Sequence, residues 1–224
     1  ILTADTLFLL ILSILTLESA HSIRFLYQHF LSGITEKSLN VFYYACSYAK
    51  VDYSRFMNTT VRITLKLIPD SLQTQPVFLC VDDTMVSKFG TKFENVSKLF
   101  DHAAHNGSNY LNGHCFVSVM LCVPVWNRDK VSYLSVPLGY RMWQEKAPLN
   151  QTGSDRMKYI PLLLYSLRWN IETSYYEQKT FWSFCNYMVR SCKGIEMLVN
   201  LINISYCAMK ILPYQNEHFS EYRT

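Results

Sequence analysis

Apolar residues recur at helical intervals along the first 68 positions. Leu7, Leu10, Ile11, Ile14 and Leu15 fall on one stripe, and Ile23, Leu26, Tyr27 and Phe30 repeat it in the next segment. Ser32-Gly33 punctuates the two. Thr35 is then placed to cap a third helix holding Leu39, Phe42, Tyr43 and Cys46, and Asp52 precedes a fourth with Phe56, Val61, Leu65 and Ile68. The spacing predicts an all-helical module over residues 1–70.

The texture changes at Pro69 to Gln75. Pro76 to Val81 is a continuous apolar run, the pattern of a strand buried on both faces, and it ends in Asp82-Asp83-Thr84. After a polar stretch from Ser87 to Gly113, Cys115 to Val125 and Val131 to Val136 read as strands joined by a turn at Asn127 to Lys130. Three consecutive strands with an antiparallel start are expected. Helical texture returns from Asp155 to Met188 and from Gly194 to Ile211, where Ile195, Leu198, Val199, Ile202 and Cys207 form a stripe suited to core packing. There is no internal repeat or low-complexity tract.

Composition narrows the class. With 224 residues, 50% hydrophobic and 17% charged, the chain can bury a real core and is not a disordered tail. A net charge of +4 is compatible with a polyanionic partner without requiring one. The apolar run Leu7 to Leu17 stops at Glu18, short of the roughly 20 residues needed to cross a bilayer, so a buried helix is expected there and no membrane partner. The other reading of that run is a membrane-anchored protein. Seven cysteines without a C-x-x-C pair argue against structural zinc and for reduced, packed thiols, hence a cytoplasmic setting.

Two places carry candidate chemistry. Asp82-Asp83 follow an apolar strand, where a sheet can present metal ligands, although a solvated turn is the plainer reading. Tyr165, Arg168, Glu172 and Lys179 project at roughly 0, 300, 340 and 320 degrees on a helix of about 100 degrees per residue. One arc thus holds a hydroxyl, a guanidinium, a carboxylate and an ammonium, a set suited to a metal beside a DNA phosphate. The plainer alternative is an Arg168–Glu172 pair on a solvated helix, worth about 0.2–0.5 kcal/mol.

That spacing resembles the YREK signature of the insertion-sequence-four type of DDE transposases. Val81-Asp82-Asp83-Thr84, Lys88-Phe89-Gly90 and Asn112-Gly113-His114 also look like members of that family, and the resemblance runs over essentially the whole chain. It implies an α/β, RNase H-like core over residues 76–212, preceded by the helical module of 1–70, a candidate DNA-binding unit, and followed by a tail of 213–224. It further implies divalent metal, Mg²⁺ or Mn²⁺, held by Asp82 and Glu172, with Asp83 the second choice to Asp82. Tyr165, Arg168 and Lys179 would contact the DNA of insertion-sequence ends, and Lys88, by its charge, is a further candidate phosphate contact. The implied activity is metal-dependent DNA strand cleavage and transfer, with a second copy of the chain as a candidate partner.

The family's second strand-borne Asp has no counterpart. Between Val136 and Tyr165 the carboxylates are Glu145 and Asp155, and neither follows an apolar run. Asp82 and Glu172 are only 90 residues apart, which points to an internal deletion with its joint near 143–146 and to a protein inactive in cleavage. The alternative function is a non-catalytic remnant that occupies transposon ends. Two further signals are weaker: His102, His105 and His114 as metal ligands, and Lys92, Lys98, Arg190 and Lys193 as phosphate contacts.

Overall fold

A computed structural model describes residues 4–17, 20, 22–100, 109–143 and 162–223, with the backbone alone for 162–168. The helical reading of the N-terminal part holds. Helix α1 is Ala4–Thr16, α2 is Ile23–Leu26, and α2 runs through a π turn at Tyr27–Leu31 into α3, Ser32–Ile34. Helices α4, Leu39–Tyr48, and α5, Tyr53–Leu65, follow. Asp52 caps α5 as expected, accepting from the Arg55 amide at 3.0 Å. Thr35 does not cap α4. It lies in extended backbone at the end of α3, where its Oγ1 accepts from the Lys37 amide, and Ser38 occupies the N-cap position of α4. The helix therefore continues through Ser32-Gly33 and breaks at Thr35.

The sheet is antiparallel. Strand β1, Phe78–Ser87, pairs with β3, Tyr110–Asn127, whose other edge carries β2, Ser97–Phe100, and then β4, Lys130–Met142. The β3–β4 hairpin closes on Arg128-Asp129 with Arg128 at φ +54°, a conformation that two-residue loops usually assign to Gly or Asn. Two expectations for β1 fail. Its apolar half is not buried on both faces, since Leu79 and Val81 are 63% and 65% exposed. Nor does the strand end at Asp82; it continues to Ser87. Among the described strands β1 pairs with β3 alone, so it is an edge strand.

Helix α6, Leu162–Phe181, lies against β1 and β4, and α7, Cys192–Gln215, packs along β4. The α7 contact is partly polar. Glu196, Asn200, Asn203 and Cys207 form one stripe that bonds to the backbone of β4: Glu196 accepts from the Met142 amide, Asn200 both accepts from the Tyr140 amide and donates to its carbonyl, and Asn203 and Cys207 donate to the Pro137 carbonyl. The helix thereby satisfies an edge that a further strand would otherwise occupy.

Composition changes at residue 70, but packing does not. Leu10, Ile14, Leu26 and Phe42 of the N-terminal helices share one core with Phe116, Met120 and Tyr140 of the sheet and with Ile171, Leu198 and Ile202. The stretch proposed as a tail is also structured, with a 3-10 turn over Glu217–Tyr222 and Arg223 donating to the Pro213 carbonyl.

Candidate functional site

Strand alternation separates the two acidic residues of β1. Asp82 shares a face with Thr84 and Val86, which are buried, and sits opposite Ser118 of β3. Asp83 points to the other face, is exposed, and accepts from the Cys115 thiol at 3.2 Å. Helix α6 covers the Asp82 side, contributing Ile171 and Tyr175 to the core that contains Val86. Glu172, Tyr175 and Lys179, at i, i+3 and i+7, lie on one face of α6. Lys179 donates to the Met85 carbonyl at 3.0 Å, and Tyr175 is close enough to feel the charges of Asp82 and Asp83. Helix and strand therefore run in the same direction here, with Glu172 one turn before Tyr175 on the same face of α6.

Burial pushes the Tyr175 hydroxyl well above its ordinary pKa, and the two Asp carboxylates push it further. Tyr175 is thus a neutral phenol. Its hydroxyl lies close enough to that of Ser118 for the serine to draw its pKa back, and neither oxygen is otherwise hydrogen-bonded among the described residues. These polar atoms beside Asp82 would suit a polar guest, but the donor set for a metal pair is short. Two divalent ions need several carboxylate oxygens, whereas this corner offers Asp82 and Glu172 with two neutral hydroxyls. Among the described residues no group of three His, Cys, Asp or Glu could hold a metal. Glu145, Asp155, His102, His105 and all but Trp143 of the joint expected near 143–146 lie outside the described residues.

The expected DNA contacts fare unequally. Tyr165 and Arg168 fall on α6 by backbone position. Lys88 is buried: its ammonium donates to the Cys185 carbonyl at 2.7 Å and the Tyr187 carbonyl at 3.2 Å, and it lies 3.6 Å from the Tyr187 ring centroid. A lysine held in this way ties the end of β1 to the segment after α6 and is not presented to a phosphate. Burial also lowers its pKa. His114 is likewise a core residue, bonded to the Tyr187 hydroxyl at 2.6 Å and the Glu94 carbonyl at 2.8 Å. Lys98 lies over the Tyr110 ring at 4.6 Å, while Lys92, Arg190 and Lys193 are exposed.

Sequence reasoning missed Tyr175 and Ser118. Tyr175 is i+3 from Glu172, so helical arithmetic could have found it, whereas Ser118 becomes visible only through the β1–β3 register. All seven cysteines are free, and burial pushes the Cys46, Cys115 and Cys122 thiols up to about 12. No family model, curated protein or solved structure matches the chain.

Proposed function

We propose that the chain acts in DNA transposition as a binder of insertion-sequence ends, on an RNase H-like core whose strand-cleavage site is incomplete. The observation that carries this reading is the meeting of the Asp82 face of β1 with the face of α6 that holds Glu172, Tyr175 and Lys179. A strand-borne Asp opposite a helix-borne Glu is the arrangement implied by the YREK-type resemblance. The sequence favours binding over cleavage, since neither carboxylate between Val136 and Tyr165, Glu145 or Asp155, follows an apolar run. If a divalent ion were held, Asp82 and Glu172 would be its protein ligands. Loss of a third carboxylate removes much of the positioning and charge stabilisation on which phosphoryl transfer depends.

The test pairs nicking with binding. Supercoiled plasmid carrying the DNA that flanks the gene is incubated with Mn²⁺ and either the native chain or Glu172→Ala, with folding checked by circular dichroism. Neither protein should nick, and both should bind the flanking DNA in preference to unrelated duplex. Nicking by the native chain that disappears in Glu172→Ala would overturn the incomplete-site reading. Equal affinity for flanking and unrelated DNA would overturn recognition of transposon ends.

A further inference from the structure

We infer that the outer face of α5 is a surface for duplex DNA, lying in the major groove with Arg55, Asn58, Thr59 and Arg62 toward the bases and Lys66 toward phosphate. The inference rests on the DNA-binding reading above but uses no residue of the β1–α6 site.

Taking Arg55 as zero, Asn58, Thr59, Arg62 and Lys66 project at roughly 300, 40, 340 and 20 degrees, so the five share an arc of about 100 degrees. All five are exposed. The helix itself contains no acidic residue, and the one at its N-cap, Asp52, is spent on the Arg55 amide. Three cations elsewhere do have ion-pair partners: Lys37 pairs with Asp5, Arg141 with Glu196 and Lys210 with Glu177. Arg55, Arg62 and Lys66 have no ion pair among the described residues. Three unpaired cations on so short a face repel one another, and a polyanion relieves that repulsion.

The opposite face of α5 is fixed in place. Thr64 is buried, Val61 packs with Leu121, Val123 and Val136 of the sheet, and the Arg141 guanidinium lies 4.3 Å from the Tyr53 ring centroid. Part of the apolar side is therefore committed inward, while Met57, Ile63 and Leu65 are 38%, 37% and 41% exposed; an amphipathic helix entering a lipid surface must turn the whole of that side outward. From Arg55 to Lys66 the helix advances about 16 Å at 1.5 Å per residue. That length spans about five base pairs at 3.4 Å each. The major groove of B-form DNA, about 12 Å wide, admits a helix, and Arg, Asn and Thr are side chains that read base edges there. The deep, narrow groove of A-form RNA does not admit one.

The experiment measures binding of the full chain to short fluorescent duplexes, flanking and unrelated, as salt is raised from about 50 to 200 mM. The proteins are the native chain, Arg55→Ala/Arg62→Ala/Lys66→Ala, and Asn58→Ala. Losing the Lys66 phosphate contact should flatten the slope of log affinity against log salt by about 1, and losing Arg55 and Arg62 should lower affinity and relax the preference for flanking DNA. Asn58→Ala should keep the slope and change the sequence preference. All five side chains are exposed, so the unfolding midpoint should hold in each variant, and it is measured alongside. An unchanged slope and affinity in the triple variant, with DNA still bound, would overturn the α5 surface and leave the proposed function standing. A flattened slope without preference for flanking DNA would support α5 and overturn end recognition. Absence of DNA binding by the native chain would overturn both, and charge-dependent binding to phosphatidylserine vesicles in its place would assign α5 to a lipid surface.

Discussion

His114 shows how a residue that invites a metal reading can be fully employed in holding the fold. The Glu94 carbonyl can only accept, so the imidazole proton is on Nε2, and Nδ1 accepts from the Tyr187 hydroxyl. Burial lowers the His114 pKa and the Lys88 ammonium lowers it further, while the bond to the Glu94 carbonyl acts in the other direction. The folded protein holds this imidazole neutral, whereas the unfolded chain takes up a proton near pH 6.5. Its contribution to stability is therefore present above that pH and is lost as the pH falls toward the depressed folded value. Urea midpoints measured from neutral to mildly acid pH should fall for the native chain and fall less for His114→Gln, whose amide can both donate and accept. An equal fall in the two would assign the pH dependence to other groups. Nothing in the local sequence announces this arrangement, because Lys88, Glu94 and Tyr187 reach His114 from three separate segments.

Elements were legible where their periodicity is their own. The helices α1, α4 and α5 and the hairpin at Arg128-Asp129 follow from residue pattern, because each helix carries its own apolar stripe and Asp52 and turn residues mark the ends of α5 and the hairpin, whereas the start of α4 lies past the expected Thr35. The edge position of β1 was not legible, since an apolar run reads alike whether a neighbouring strand covers it or solvent meets it. The polar stripe of α7 was equally hidden, and Cys207, expected in the apolar stripe, belongs to the bonding one. At the candidate site, Asp82 and Glu172 could be read from pattern and resemblance, and Tyr175 from helical spacing, while the Ser118 hydroxyl depended on register. Gly113 is where elements meet most closely. It pairs with Ser87 of β1 on one edge and Ser97 of β2 on the other, and a Cβ there would run into the Val86 carbonyl oxygen. Since that obstacle is backbone, Gly113→Ala should cost about 1–3 kcal/mol, measured as a lowered denaturation midpoint. A midpoint equal to that of the native chain would mean β1 yields more easily than its pairing suggests.

At the scale of the whole molecule, helices from both ends of the chain close over one sheet. Helix α7 is long and apolar enough to cross a membrane, but 67% of its most apolar window is buried within the fold. The four backbone-bonding residues of its stripe account for why such a helix is used beside β4. Both edges of the sheet thus pose the same problem, and they meet it differently. The β4 edge is clothed by side-chain bonds, whereas the exposed Leu79 and Val81 of β1, with Val77 just before the strand, are followed at once by Asp82 and Asp83. Short apolar segments of high strand propensity and low charge are the raw material of fibrils, and an interrupting charge arrests their stacking. Asp83 is the exposed member of the pair, and Asp83→Val should shorten the lag before thioflavin fluorescence rises in an agitated solution. Equal lag times would mean the arrest lies elsewhere. A carboxylate first read as a catalytic neighbour would then have a second occupation, keeping a concentrated solution of the protein from seeding its own polymer.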